Sequence, residues 1–345
     1  PPLPWLAPTA LDGDSAALAR QRARVMGVSV AAPMLALLLL SQTRYALFAA
    51  LAGVVVGLSD ARATALRRVE GAIAVLCVVA AFAASGLAVQ GREWMIVAGT
   101  LLLATAASSI PPEYRAIGFV ARYCAVAFNI GAHQSITSYS VVAAFGLAGL
   151  GACAVVLVDA LAIPHTSAVA SGMRHEFEAV RTGRKGARNS RIFAICAGLS
   201  VAGALYWADR AHLERPYWVM ATVIFVLHPD PASSFKRIAE RALGVIIGAL
   251  ATAPFVQWTH TLLPLVLLVV VVAWFVPLAL PRRYWLGVAL MTILIMTLAD
   301  ISALSREGAG LPYLWVRVEN TLLGCGFAAA GTLLALGLTR LRRRA

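Results

Sequence analysis

Twelve apolar segments separated by short polar turns take up almost the whole chain: 25–41, 45–59, 69–89, 94–110, 114–131, 138–160, 192–207, 216–228, 242–258, 262–279, 284–301 and 312–339. A helix needs about 20 apolar residues to cross the hydrocarbon core, and in lipid every backbone group must be satisfied inside its own element or a closed barrel. Segments of this length and spacing predict an all-α integral membrane protein of about twelve transmembrane helices. Only 13% of the residues are charged, where soluble domains carry about a quarter. Twelve spans in 345 residues leave no room for a large catalytic domain. The first segment reads as a span rather than a signal peptide, because no cleavage-like site ends its apolar run and a Thr43-Arg44-Tyr45 turn leads into the next.

The net charge of +13 would suit a nucleic-acid partner, but its distribution argues for topology instead. Of the 29 Lys and Arg residues, 22 fall on one side of the twelve-span threading, five (Arg44, Arg92, Arg210, Arg215, Arg306) on the other, and Arg122 and Arg317 inside spans. By the positive-inside rule both termini are then cytoplasmic. A basic excess divided among short loops makes no continuous nucleic-acid footprint. Trp94, Trp207, Trp218, Trp258, Tyr313 and Trp315 fall at the outer ends, Tyr284 and Trp285 at an inner end, as interfacial anchors do.

The chain repeats. A shift of 173 sets Arg68-Val-Glu-Gly71 on Arg241-Ala-Leu-Gly244, and one of 170 sets Tyr114 on Tyr284. Each half has six spans, an even number, so the halves are parallel repeats related by an axis along the membrane normal. The organisation expected is a cytoplasmic segment 1–24, a first six-helix repeat 25–162, a cytoplasmic linker 163–190, a second repeat 191–339 and a basic tail 340–345, with a translocation path between the halves. The second span of each half is short and ends in breakers, Gly57-Leu-Ser59-Asp60 and His228-Pro229-Asp230-Pro231. Interrupted segments at matching positions of two repeats point to a substrate site; a span whose last turn is a polar loop is the alternative.

The stretch Arg215-Pro-Tyr217-Trp218 through His228-Pro229-Asp230-Pro231, followed by Lys236-Arg237, Arg241 and Gly244-x-x-x-Gly248, resembles the fusaric acid resistance (FUSC) family, which includes bacterial aromatic acid exporters. Arg317-x-x-x-Thr321-x-x-Gly324 resembles the start of that family's last span. More distantly the chain is similar to plant aluminium-activated malate transporters. It departs from the family's bacterial members in having about thirty residues between its halves instead of a large cytoplasmic region, and Leu58-Ser59-Asp60 where Pro-Asp is the pattern. The resemblance implies export of anionic, often aromatic, organic acids across a bacterial inner membrane, or passive anion conduction.

The residues suit such cargo. Arg122, mid-span in the fifth segment, must face protein or water, because a charge at the bilayer centre costs at least about 2.5 kcal/mol. No acid lies at comparable depth in the proposed spans, so a transient carboxylate is a natural partner; a structural ion pair is the alternative. Arg317, Glu319 and Asn320 lie just inside the outer end of the last span, and Glu319 is the proton-coupling candidate if it faces a cavity. Asp230, Arg237 and Arg241 mark the cytoplasmic mouth, the two arginines sharing one helix face, with a topogenic role as the alternative. Tyr217 and Trp218 are either interfacial anchors or ligand-stacking groups, and His228 is either a titrating group or a structural histidine. The glycine pairs Gly53/Gly57 and Gly244/Gly248 are packing features.

No nucleophile motif, metal-ligand cluster or Walker sequence occurs, and the five cysteines lie in apolar stretches without a CxxC pair. The expectation is a multi-pass protein of the bacterial inner membrane that is not an enzyme, uses no cofactor or metal, binds no nucleic acid, and meets only lipid, small anionic organic acids and, optionally, a second copy of itself. Its expected activity is export of aromatic carboxylates with proton coupling, against a passive anion channel or a non-transporting membrane scaffold.

Overall fold

The computed structural model describes residues 13–39, 50, 53–56, 65–112, 114–133, 189–259, 261–304 and 311–344. These form ten helices: α1 Gly13–Leu39, α2 Ala65–Ala88, α3 Glu93–Ser109, α4 Arg115–His133, α5 Asn189–Arg210, α6 Tyr217–Val226, α7 Pro231–Trp258, α8 Leu262–Ala279, α9 Tyr284–Leu304 and α10 Leu311–Arg344. No strand occurs among the described residues. Six helices (α2, α5, α7, α8, α9, α10) are long and apolar enough to cross a membrane, and α3 and α6 are shorter apolar helices. The chain is therefore an all-helical, multi-pass membrane protein. The sixth apolar segment and most of the expected linker lie outside the described residues, as does much of the second segment.

Two boundaries differ from the apolar segments. α1 begins twelve residues before Val25 and α7 eleven before Ala242, because polar turns outside the hydrocarbon continue each helix. For α7 the cause is local: Pro231 occupies the first helical position, where its missing N–H costs nothing, and Asp230 caps the turn. The Asp230 Oδ2 accepts from the Ser233 backbone N–H at 2.8 Å and from the Ser233 hydroxyl at 2.6 Å.

The chain forms two compact units, and neither coincides with one six-span half. In the first, made among the described residues of 13–76 and 243–315, α1 packs on α8 and α8 on α9. Met26, Val30 and Met34 of α1 meet Val269, Ala273 and Val276 of α8 and Leu294 and Leu298 of α9 in a core fully closed to solvent. Gly244 and Gly248 of α7 lie against the Trp285 and Ala289 carbonyls of α9, where a Cβ would collide with backbone oxygen. The pair is thus a close-approach face, as its spacing implies.

In the second unit, made of 77–133, 189–242 and 316–344, α3 packs on α5 and α4, and α6 on α5 and α4. Gly86 of α2 and Gly131 of α4 make a reciprocal crossing, each holding its Cα against a backbone carbonyl of the other helix, Phe128 and Ala83 respectively. Polar side chains bond across helices: buried Asn129 donates to Thr100 Oγ1 at 2.9 Å, and half-buried Ser200 to the Phe327 carbonyl at 2.7 Å. At the centre lies α6. Nine of its ten residues are buried, and at 1.5 Å per residue it is about 15 Å long, half the hydrocarbon thickness.

Candidate functional site

The second unit gathers charge and aromatic surface at both ends of α6. At its C-terminal end the helix stops at Val226, and Leu227 turns to extended backbone. His228 is held in the break: its N–H donates to Ser234 Oγ at 2.8 Å, the Ser234 hydroxyl donates to its carbonyl at 2.9 Å, and the Asp230 N–H donates to its Nδ1 at 3.1 Å. An Nδ1 that accepts puts the neutral ring's proton on Nε2. Burial lowers the His228 pKa, the charges of Arg237 and Arg122 lower it further, and Asp230 opposes them. The bonds from Ser233 hold the Asp230 carboxyl below its ordinary value. Asp230 is therefore a helix cap, and it forms no ion pair among the described residues.

Around this break stand Arg122 of α4 and Arg237 and Arg241 of α7. Arg122 is half-buried, its charge reaches His228, and it is engaged within the protein. It is thus not the isolated charge that the absence of acids at its depth implies. The Arg241 guanidinium lies 6.0 Å from the Phe225 ring centroid, and its Nε is buried with no hydrogen-bond partner. Phe225 meets Tyr123 edge-on at 5.2 Å, and Tyr123 meets Phe119 at 4.5 Å. Glu240, buried on α7, lies within reach of the charges of Lys236 and Arg237.

At the other end, the chain enters α6 through Arg215, a non-glycine residue in the left-handed region at φ 59°. Such a backbone is sterically unfavourable, and here it turns the guanidinium back over the helix: Arg215 Nη1 donates to the Tyr217 hydroxyl at 3.2 Å and lies 5.4 Å from the Trp218 ring. Arg317 of α10 lies 4.6 Å from the same ring and is only 5% exposed. Asn320 donates to the Glu214 carbonyl at 2.8 Å. Tyr217 and Trp218 are 3% and 7% exposed, so protein rather than the membrane interface surrounds them. Glu319 is exposed, on the opposite side of α10 from buried Arg317, Asn320 and Thr321.

Every candidate substrate-site residue singled out from sequence lies in this unit. The structure joins Arg122, His228, Asp230, Arg237 and Arg241 at one end and Arg317, Asn320, Tyr217 and Trp218 at the other, leaving Glu319 outside both groups. Sequence reasoning missed Tyr123, Phe225, Glu240 and the His133–Asp209 pair. Tyr123 was signalled by its place beside Arg122. The others had no local signal, since Phe225 is one apolar residue in an apolar helix and the histidine and aspartate are 76 residues apart.

A multi-pass helical protein with buried arginine and aromatic groups around a half-length helix belongs to the broad class of polytopic membrane proteins. Residues 201–331 match the family described as fusaric acid resistance protein-like, which bears out the resemblance over most of the second half. An uncharacterized protein of Synechocystis is 44% identical over 57 residues, covering 15% of this chain and 8% of that protein. No solved structure matches the chain.

Proposed function

We propose that this protein exports small anionic organic acids with an aromatic ring across a bacterial inner membrane, taking them up at the Arg122–Arg237–Arg241 end, which the arginine distribution makes cytoplasmic, and passing them along α6 to Trp218. What supports the reading is that both ends of α6 pair guanidinium with an aromatic face. Guanidinium offers a forked donor to a carboxylate, and the ring faces of Phe225 and Trp218 offer stacking surface to an aryl group. The matching family is one of membrane transporters, which favours transport over a scaffold.

The test is flux and current from purified protein in liposomes, offered benzoate-like acids, malate and chloride. Saturable flux of the aryl acids above malate is the expected result; chloride currents with no preference among organic acids would make the protein a passive anion channel. Arg122→Gln keeps length and hydrogen bonding but removes charge, so it should insert and fold while losing anion flux. Wild-type flux in that variant would assign Arg122 a purely structural role.

A further inference from the structure

At the Trp218 end one pair of groups stands apart from the arginine and aromatic contacts. His133, in the last turn of α4, has its Nδ1 at 2.8 Å from the Asn129 carbonyl oxygen, one turn back, and its Nε2 at 3.2 and 3.4 Å from the two carboxylate oxygens of Asp209 on α5. Both side chains are largely shielded, 13% and 20% exposed. A carbonyl oxygen only accepts, so Nδ1 must carry a proton for the first contact to be a hydrogen bond. In a neutral ring that leaves Nε2 as a bare lone pair, facing a carboxylate. The arrangement is attractive only when a second proton sits between Nε2 and Asp209.

Among the described residues, the neighbouring elements supply no other proton for that bond. α2, packed against α4 through Ala83 and Gly86, carries no charged side chain from Cys77 to Ala88. From α3, Glu93 is taken by Arg210, whose Nε lies 3.0 Å from its carboxylate. From α6, the Tyr217 ring stands 6.2 Å from the His133 ring, with its hydroxyl receiving Arg215. Arg317 of α10 lies over Trp218.

We propose that His133 and Asp209 form a proton-binding site that couples transport to the proton gradient. The inference rests on the transport reading above. With the second proton bound, the imidazolium bridges α4 to α5. When that proton leaves for water, lone pair and carboxylate confront each other and the two helices lose their tie at this end. One proton entering as one monovalent acid leaves moves two charges in the same electrical sense. Histidine is the side chain whose charge ordinarily changes between about pH 5 and 8, the range in which membrane pH gradients operate.

Asp209→Asn tests this directly, because its amide can donate to the bare Nε2 and so keeps the bridge without an exchangeable proton. In liposomes, wild-type protein should accumulate a benzoate-like acid against its gradient when a pH difference is imposed. Asp209→Asn and His133→Gln should keep downhill flux of the acid and lose pH-driven accumulation. A folded Asp209→Asn protein that still accumulates the acid would overturn the proposal. The ring ¹⁵N resonances, assigned by their loss in His133→Gln, give a second readout: a doubly protonated ring at pH 7 is expected in the wild type and a neutral one in Asp209→Asn. A neutral wild-type ring at pH 7 would also overturn it. Wild-type protein that moves no acid even downhill would instead remove the export function and the coupling role together.

Discussion

Arg241 shows most directly what a single side chain contributes to this site. Its Nε is buried and without a hydrogen-bond partner beside Phe225, and hydrogen bonds to charged groups contribute about 1.5–3 kcal/mol. Arg241→Gln should therefore raise the apparent substrate constant roughly ten- to hundredfold, measured as acid flux against concentration. Trp218→Leu removes ring surface but no charge, so the constant for an aryl acid should rise about two- to tenfold while that for malate stays near wild type. His228 gives a pH signature. Its folded pKa is depressed by burial and the Arg237 charge, so as pH falls through about 6.5 the unfolded chain takes up a proton that the folded one refuses. Stability is then full above that pH and declines on acidification until the folded pKa is reached. Melting temperatures in detergent between pH 7.5 and 5 should show a smaller acid loss in His228→Gln than in the wild type. Much of this was legible in sequence: the prolines around Asp230 cannot continue a helix, and charge at mid-span must face inward. The outward turn of Glu319 was legible too, since 317, 320, 321 and 324 share one helix face and 319 falls opposite. The burial of Tyr217 and Trp218 was not, because an aromatic pair at a helix end fits an interface and a pocket equally well.

Among the helices, small residues set how closely neighbours approach, and they divide into two kinds. At Gly86 and Gly131 a side chain would strike backbone carbonyls of the facing helix, which cannot yield without moving the helix. Gly86→Val should destabilise by about 1–3 kcal/mol or more, seen as a lower melting temperature and loss of monodisperse protein. Gly326 of α10 meets nothing within 4 Å. Gly326→Ala should be neutral or stabilising by up to about 1 kcal/mol, because alanine loses less backbone freedom in a helix. The spacing of Gly244 and Gly248 announced their contact, whereas Gly86 and Gly131 carry no such motif. Their crossing arises from two helices far apart in sequence, so only the folded chain pairs them. The extra turns at the start of α7 were hidden for a related reason: hydropathy marks where lipid begins, while the cap marks where the helix begins.

For the molecule as a whole, the arginine distribution predicts that tags at residues 20, 183 and 345 report from the cytoplasm and tags near 134 and 308 from outside; a periplasmic 183 would overturn the six-plus-six topology. The half-length of α6 has an electrical consequence. A membrane potential falls across whatever thickness separates the two aqueous phases, and arginines at both ends of a helix about 15 Å long mark the narrowest candidate for that barrier. If water reaches both ends, nearly all the voltage drops along those ten residues, and an anion passing from Phe225 to Trp218 feels almost the full field in one short step. With the cell interior negative, each 100 mV then favours the exit of a monovalent acid by about 2.3 kcal/mol, close to a fiftyfold outward bias. Acid flux should accordingly steepen with imposed interior-negative voltage, and the site would act as a rectifier powered by the resting potential even before any proton is exchanged.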